Sequence, residues 1–160
     1  MGKSGSKTTS DKNVYAINRK ARHNFSILKT LECGLVLNGS EAKAVKTGKA
    51  DLSECYVRII DGELWCVGLN IGQYAFSQQE HEPLRNKKLL LHRKELFGLQ
   101  KSLEERGLTL LALKLYLRNG VIKCEIGLAK GKKQHDKREA EKKRVAQREV
   151  DKFIKNRLNK

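Results

Sequence analysis

Between Leu108 and Leu128, apolar and polar residues alternate on either side of Asn119-Gly120. An Asn-Gly pair between two alternating runs predicts a two-residue type I′ turn, in which both central positions need φ > 0. Folding the chain there sets Leu117 against Ile122, Leu115 against Cys124, Leu113 against Ile126 and Leu111 against Leu128. That face is entirely apolar. The other face sets Arg118 against Val121, Tyr116 against Lys123 and Lys114 against Glu125, so one side is core and the other meets solvent or a partner. Asp61-Gly62 predicts a second hairpin, with Ile59 across from Leu64, Val57 from Cys66, and Arg58 from Trp65. Earlier, Phe25, Ile27, Leu31, Cys33, Leu35 and Leu37 share one parity that only Lys29 breaks. Gly34 within that run suggests a bulge or bend, as a strand curling round a small barrel needs.

Helical spacing is confined to two short stretches. Ser40 to Thr47 has Glu41 near its start and Gly48 past its end, while His92 to Arg106 carries Leu96, Leu99 and Leu103 on one stripe, with Gly107 as the stop. The expected fold is mostly β: a small OB-like antiparallel β-barrel with two or three short helices and a flexible basic C-terminal tail. A split α+β sheet is the alternative. Residues 1–12 are small and polar and are expected to be a disordered head, residues 13–130 the barrel, and residues 131–160 the tail.

Charge changes this picture from a fold into a binding protein. The 160 residues carry 34 Lys+Arg against 18 Asp+Glu, a formal +16, which calls for a polyanion and favours nucleic acid over a membrane surface. The excess is uneven: residues 130–160 hold 13 basic and 5 acidic side chains, so half of it sits in the last fifth of the chain. Beyond Gly131 the tail has no Gly or Pro, and Ala146, Val150, Phe153, Ile154 and Leu158 fall at helical spacing among Lys and Arg. This is a latent amphipathic helix, expected to order on a partner. No apolar run approaches the ~20 residues of a membrane span, and the first residues have no signal-like apolar region. A cytoplasmic protein is expected, with no membrane partner.

Reactive chemistry is sparse. Cys33, Cys55, Cys66 and Cys124 fall on apolar strand parities without zinc spacing and read as buried reduced thiols. His23, His81, His92 and His135 are scattered, and no nucleophile elbow, P-loop or metalloprotease motif is present. Catalysis, a metal and a cofactor are therefore not expected. Binding chemistry concentrates in three clusters. Asn18-Arg19-Lys20-Ala21-Arg22-His23 suits phosphates and an exposed base, or is a solvated approach segment. Arg85-Asn86-Lys87-Lys88 leads into Leu89-Leu90-Leu91, three leucines that cannot all face one core unless the chain changes direction there, so either one is exposed and covers a sugar or base or the segment is a helix entry packed on two sides. Lys130-Gly131-Lys132-Lys133-Gln134-His135-Asp136-Lys137-Arg138 joins the last strand to the tail at a glycine pivot. Glu32, on the polar parity of its strand, can accept from a nucleobase amine or pair with an arginine. Trp65 opposite Arg58 is either a stacking platform or a structural cation–π pair.

In order and spacing these segments resemble the SsrA-binding protein (small protein B) family of bacterial trans-translation. The resemblance runs from Ala16 to the end through Asn18–His23, Glu32–Leu37, Gly39–Lys43, Gly48–Leu52, Lys88–Leu91, Ala129–Lys133 and Asp136–Arg138. It implies an OB-like barrel that binds the tRNA-like domain of transfer-messenger RNA (tmRNA) and delivers it to stalled ribosomes. Contacts with the RNA would run through Asn18, Glu32 and Leu90, with Arg19, Lys20, Arg22, His23, Lys130, Lys132 and Lys133 on phosphates. His135, Asp136, Lys137 and Arg138 would lie at the decoding site, with the tail helix and its Phe153-Ile154 pair in the empty mRNA channel of the small subunit. Ala146 stands where the family often has a large aromatic. The implied protein is a monomer that meets elongation factor Tu and alanyl-tRNA synthetase through the RNA. A general single-stranded nucleic-acid-binding or ribosome-associated structural protein is the alternative that the residues themselves leave open.

Overall fold

The computed structural model describes residues 13–104 and 107–158; the expected N-terminal head and Arg106 lie outside them, as do the side chains of His135, Phe153 and Leu158. In chain order the elements are β1 (Val14–Ile17), α1 (Arg19–Asn24), β2 (Phe25–Leu35), α2 (Gly39–Lys46), β3 (Ala50–Asp51), β4 (Tyr56–Ile60), β5 (Glu63–Val67), β6 (Asn70–Ile71), β7 (Lys87–Leu90), α3 (Arg93–Leu103), β8 (Leu108–Arg118), β9 (Val121–Gly131) and α4 (Gln134–Leu158). Strands β8, β4, β5, β7, β2 and β9 are hydrogen-bonded in that order, and β9 pairs back onto β8. Every pairing is antiparallel, so the sheet closes into the expected small barrel, with β1 attached to β8.

Both predicted hairpins form. Asp61 and Asn119 have φ of 50°, and Gly62 and Gly120 have φ of 73° and 76°, the left-handed geometry a two-residue turn requires. The register at Asp61-Gly62 is as expected, with Arg58 across from Trp65, although no cation–π contact joins them; the cation–π contacts seen are Lys43 with Tyr74 and Lys114 with Tyr116.

The β8–β9 hairpin follows the predicted pairing from Arg118↔Val121 back to Lys114↔Glu125, and then departs from it. A bulge at Leu113 advances the register, so that Ala112 faces Ile126 and Leu110 faces Leu128. A second bulge at Leu28 does the same in β2. Each extra residue turns the chain beyond it over by one face. The single apolar stripe expected on each strand is therefore divided between two cores. Leu110, Ala112, Leu115, Ile126, Cys33 and Leu35 fill the barrel interior, while Leu111, Leu113, Phe25 and Ile27 pack outside it with Ala21 and Ala129. The bulge is thus at Leu28 and not at Gly34. Gly34 instead allows close approach: a Cβ there would lie 3.2 Å from Leu90 Cβ.

The second core seats α1, which periodicity did not reveal because the helix is six residues long and polar. Helices α2 and α3 are close to prediction. The Asn38 N–H donates to Glu41 Oε2 (2.8 Å) at the start of α2, Gly48 lies past its end, and α3 buries Leu99 with Leu96 and Leu103 half-buried beside it. All four cysteines are free and buried, and burial pushes the Cys33 thiol up to about 12, far from a reactive thiolate.

The tail forms α4, a helix of 25 residues, the form expected of it on a partner. Its composition explains this, since it contains strong helix formers and no Gly or Pro. Asp136 Oδ2 accepts from the Lys133 N–H (3.3 Å), which closes the first turn. Among the described residues no side chain of α4 enters either core, and Val145, Val150 and Ile154 stay exposed.

Candidate nucleic-acid interface

Asn18 is the N-cap of α1 and is buried, not an open hydrogen-bonding edge. Its Oδ1 accepts from the Ala21 N–H (2.9 Å), its Nδ2 donates to Ala112 O (3.1 Å), and its backbone N–H donates to Leu113 O (2.7 Å). These bonds hold the start of α1 against the bulged part of β8. Ala21 is the buried residue of the helix, so Arg19, Lys20 and Arg22 are turned outward. Lys20 pairs with Glu54 at 2.7 Å, Arg22 with Glu125 at 3.8 Å, and Arg19 has no ion-pair partner among the described residues.

Glu125 leads from this helix across the sheet. It lies opposite Lys114 on one side and Glu32 on the other, so all three share the outer face. Lys114 Nζ is 3.2 Å from Glu125, and the Tyr116 hydroxyl and Arg118 Nη1 (2.8 Å) both donate to Glu32 Oε2. The Tyr116 hydroxyl first, and then Arg118, hold the Glu32 carboxyl below its ordinary range. Glu32 is therefore an anion at neutral pH, and its other oxygen takes no bond from a described residue. The salt-bridge reading of Glu32 is present, and it leaves half of the carboxylate available to a donor from outside.

Glu32, Gly34, Leu90, Leu91, His92, Glu95 and Lys123 line one groove of about 480 Å³. Of the three consecutive leucines, Leu89 is buried, Leu91 packs on the core and Leu90 is 52% exposed in this groove. The apolar residue expected to be free for a sugar or base is thus Leu90, beside the Glu32 carboxylate. The cations of that basic cluster are taken up by partners within the fold. Arg85 Nη2 is 2.6 Å from the buried Glu41, Lys87 is fully buried, and Lys88 pairs with Glu63. Burial pushes the Glu41 carboxyl up, but the Arg85 and Asn38 bonds outweigh it and leave it low.

The third cluster returns to α1. The Lys132 N–H donates to Asn24 O (3.0 Å) and its Nζ to Arg22 O (3.2 Å), while His23 Nε2 lies 3.0 Å from Glu141 Oε2 on α4. Lys130 and Lys133 are exposed, as are Asp136 and Arg138. Tyr116, Arg118, Lys123, Lys114 and Glu125 were not singled out as binding residues. Their signal was the polar face of the hairpin, and what was missing was the β2–β9 pairing that sets Glu32 beside them.

A profile of the family described as SmpB protein matches residues 15–156. The chain belongs to the SmpB family. SmpB relatives named SsrA-binding protein include that of Limosilactobacillus fermentum, 45% identical over 147 residues (91% of this chain and 94% of that one). That of Nostoc punctiforme is 46% identical over 153 residues, covering 92% and 99%. A solved chain from "tmRNA-SmpB: a journey to the center of the bacterial ribosome" superposes with a TM-score of 0.62 at 43% identity, covering 74% of this chain and 84% of that one. Among the described residues no cluster of His, Cys, Asp and Glu could hold a metal, and no helix is long and apolar enough to cross a membrane.

Proposed function

We propose that this chain is a cytoplasmic, non-enzymatic RNA-binding protein that holds the tRNA-like domain of tmRNA and delivers it to stalled ribosomes for trans-translation. The observation that carries the reading is the groove that brings Glu32 and Leu90 together from β2 and β7, on a sheet face that continues through Glu125 to the basic helix α1. A carboxylate with one oxygen free accepts from a base amine, the exposed leucine covers a sugar or base, and the cations of α1 and Lys123 take phosphates. Arg19, Lys20, Arg22 and His23 act directly. Asn18 acts by fixing the helix that carries them.

The tail supplies the second surface. Lys130, Lys132 and Lys133 bridge the barrel and α4, and His135, Asp136, Lys137 and Arg138 occupy the decoding site. The helix beyond them spans about 30 Å at ~1.5 Å per residue and enters the mRNA channel of the small subunit with Phe153 and Ile154. Its charge suits a channel walled with RNA. The chain acts as a monomer and meets elongation factor Tu and alanyl-tRNA synthetase only through the RNA.

Deleting residues 131–160 tests the division. Since no described side chain of α4 is part of either core, the truncated protein should fold and bind tmRNA with near-parental affinity, while peptide tagging on stalled ribosomes is lost. Equal loss of binding and tagging would show that there is one surface and not two.

A further inference from the structure

We propose that Phe76 and Tyr74, on the loop from residue 72 to 86, form a second RNA contact, a stacking site for an unpaired nucleotide of the same tRNA-like domain that the Glu32–Leu90 groove holds. The inference rests on that reading of the groove.

Phe76 is 86% exposed, the most exposed of the large hydrophobic side chains given for the described residues. Exposure of one ring on a floppy loop would mean little, but this loop is pinned at its stem. Ile71 N–H donates to Pro83 O (3.0 Å), Gly72 N–H to Lys49 O (2.8 Å), and the buried Lys87 ammonium to Leu69 O and Pro83 O (2.8 Å each). The buried His81 bridges Ile71 O and Ser40 Oγ at 3.1 Å each. Arg85 ties the far end of the loop to Glu41. At the tip, Ser77 Oγ donates to Gln79 O (2.7 Å), so the turn that follows Phe76 is also held.

On this frame the Phe76 ring packs edge-on against Tyr74, with centroids 5.8 Å apart and planes at 67°. Lys43 Nζ lies 5.8 Å from the Tyr74 ring centroid. The adjoining groove, about 450 Å³, is lined by Phe76 and by polar side chains that include Asn38, Lys43, Gln78, Gln79 and the single carboxylate Glu80. An aromatic platform beside a cation and three amides offers what an unstacked base and its phosphate need: a π-face, a charge, and donors and acceptors for the base edge. Lys43 and Lys49 flank the platform, the Lys49 ammonium donating to Gln73 O (2.8 Å). The acids of the loop are Glu80 and Glu82, and the nearby Glu41 is neutralised by Arg85. Cationic surroundings favour RNA as the occupant over a second copy of a +16 chain.

Continuity selects which RNA. Lys87, which clamps the loop, and Leu90, which lines the first groove, are the two ends of β7, and Val36 N–H donates to Lys88 O (3.0 Å) on the way to Asn38. At ~3.3 Å per residue the strand sets Lys87, at the stem of the loop, about 10 Å from Leu90, so the loop that carries Phe76 rises from the strand that lines the first groove, and one folded RNA can meet both.

The test uses the full chain and an RNA fragment of the tRNA-like domain. Phe76→Ala, with an unchanged far-ultraviolet circular dichroism spectrum, should weaken fragment binding about ten-fold, the size of one lost base stack. Phe76→Trp should keep parental affinity and lose tryptophan emission on adding the fragment, measured against the parent, whose single tryptophan is Trp65. If the parent binds the fragment and Phe76→Ala binds it equally well, this inference is wrong while the groove stands. A Phe76→Ala protein impaired only on ribosomes also overturns it, by naming ribosomal RNA as the occupant. Failure of the parent to bind the fragment would refute the proposed function, and this inference with it.

Discussion

Lys87 is the least expected residue of the fold, a lysine with no solvent exposure in a +16 protein. Lys87→Met keeps most of the volume and removes the ammonium that serves Leu69 O and Pro83 O. Pro83 O retains the Ile71 N–H, so it loses one charge-assisted bond, whereas Leu69 O loses its lysine donor altogether. A stranded buried acceptor costs about 1–3 kcal/mol and a bond to a charged donor contributes about 1.5–3 kcal/mol. Against these stands the relief of no longer burying a charge. The expected net loss is about 2–3 kcal/mol, or roughly 5–10 °C in Tm for a chain of this size. The pH dependence identifies the cause. Burial, the largest effect, holds the Lys87 ammonium below the ordinary lysine value of 10.5. Between the depressed folded value and 10.5 the folded state binds fewer protons than the unfolded one, so this group makes stability rise with pH across that window. In urea unfolding from pH 7 upward, the stability of the parent minus that of Lys87→Met should therefore rise with pH, the other titrating groups being common to both. A variant within about 0.5 kcal/mol of the parent, with the same pH slope, would refute the clamp.

Glu32→Ala should cost about ten-fold in affinity for the tRNA-like domain and leave the circular dichroism spectrum intact, because its partners Tyr116 and Arg118 sit at the surface. The carboxyl is held below its ordinary value of 4.5, so its contribution to stability is present above 4.5 and fades as pH falls through the folded value; parent and variant should converge there in acid unfolding curves. Asn18→Ala removes both the cap of α1 and the bond to Ala112 O, and should lower stability by about 1–3 kcal/mol in urea titration. A fully stable Asn18→Ala protein with weakened RNA binding would instead make Asn18 a direct contact.

Much of the site was legible because local rules governed it. The polar parity of Glu32, the exposed member of Leu89-Leu90-Leu91 and the outward cations after Asn18 each follow from a short stretch of chain. The cluster Arg85–Lys88 misled as a basic patch, because the sequence does not say that Glu41 and two backbone carbonyls wait for Arg85 and Lys87 inside the fold. Charge counts positions and not their partners.

What the residues determined alone were the two hairpin turns, the two short helices α2 and α3, and the division of +16 between a barrel and a tail. Turn chemistry, capping and composition act within a few residues, so no distant partner is needed to decide them. The tertiary structure decided the rest. The bulges at Leu28 and Leu113 flank β9 and expose an apolar patch outside the barrel on which Ala21 seats the basic helix. The β2–β9 and β2–β7 pairings then bring Glu32, Lys123 and Leu90 to one groove. A bulge is the choice of which residue to leave unpaired, and it is settled by how well both faces pack across strands far apart in the chain. Alternation along a single strand shows that there are two faces; closure of the barrel determines where they change places.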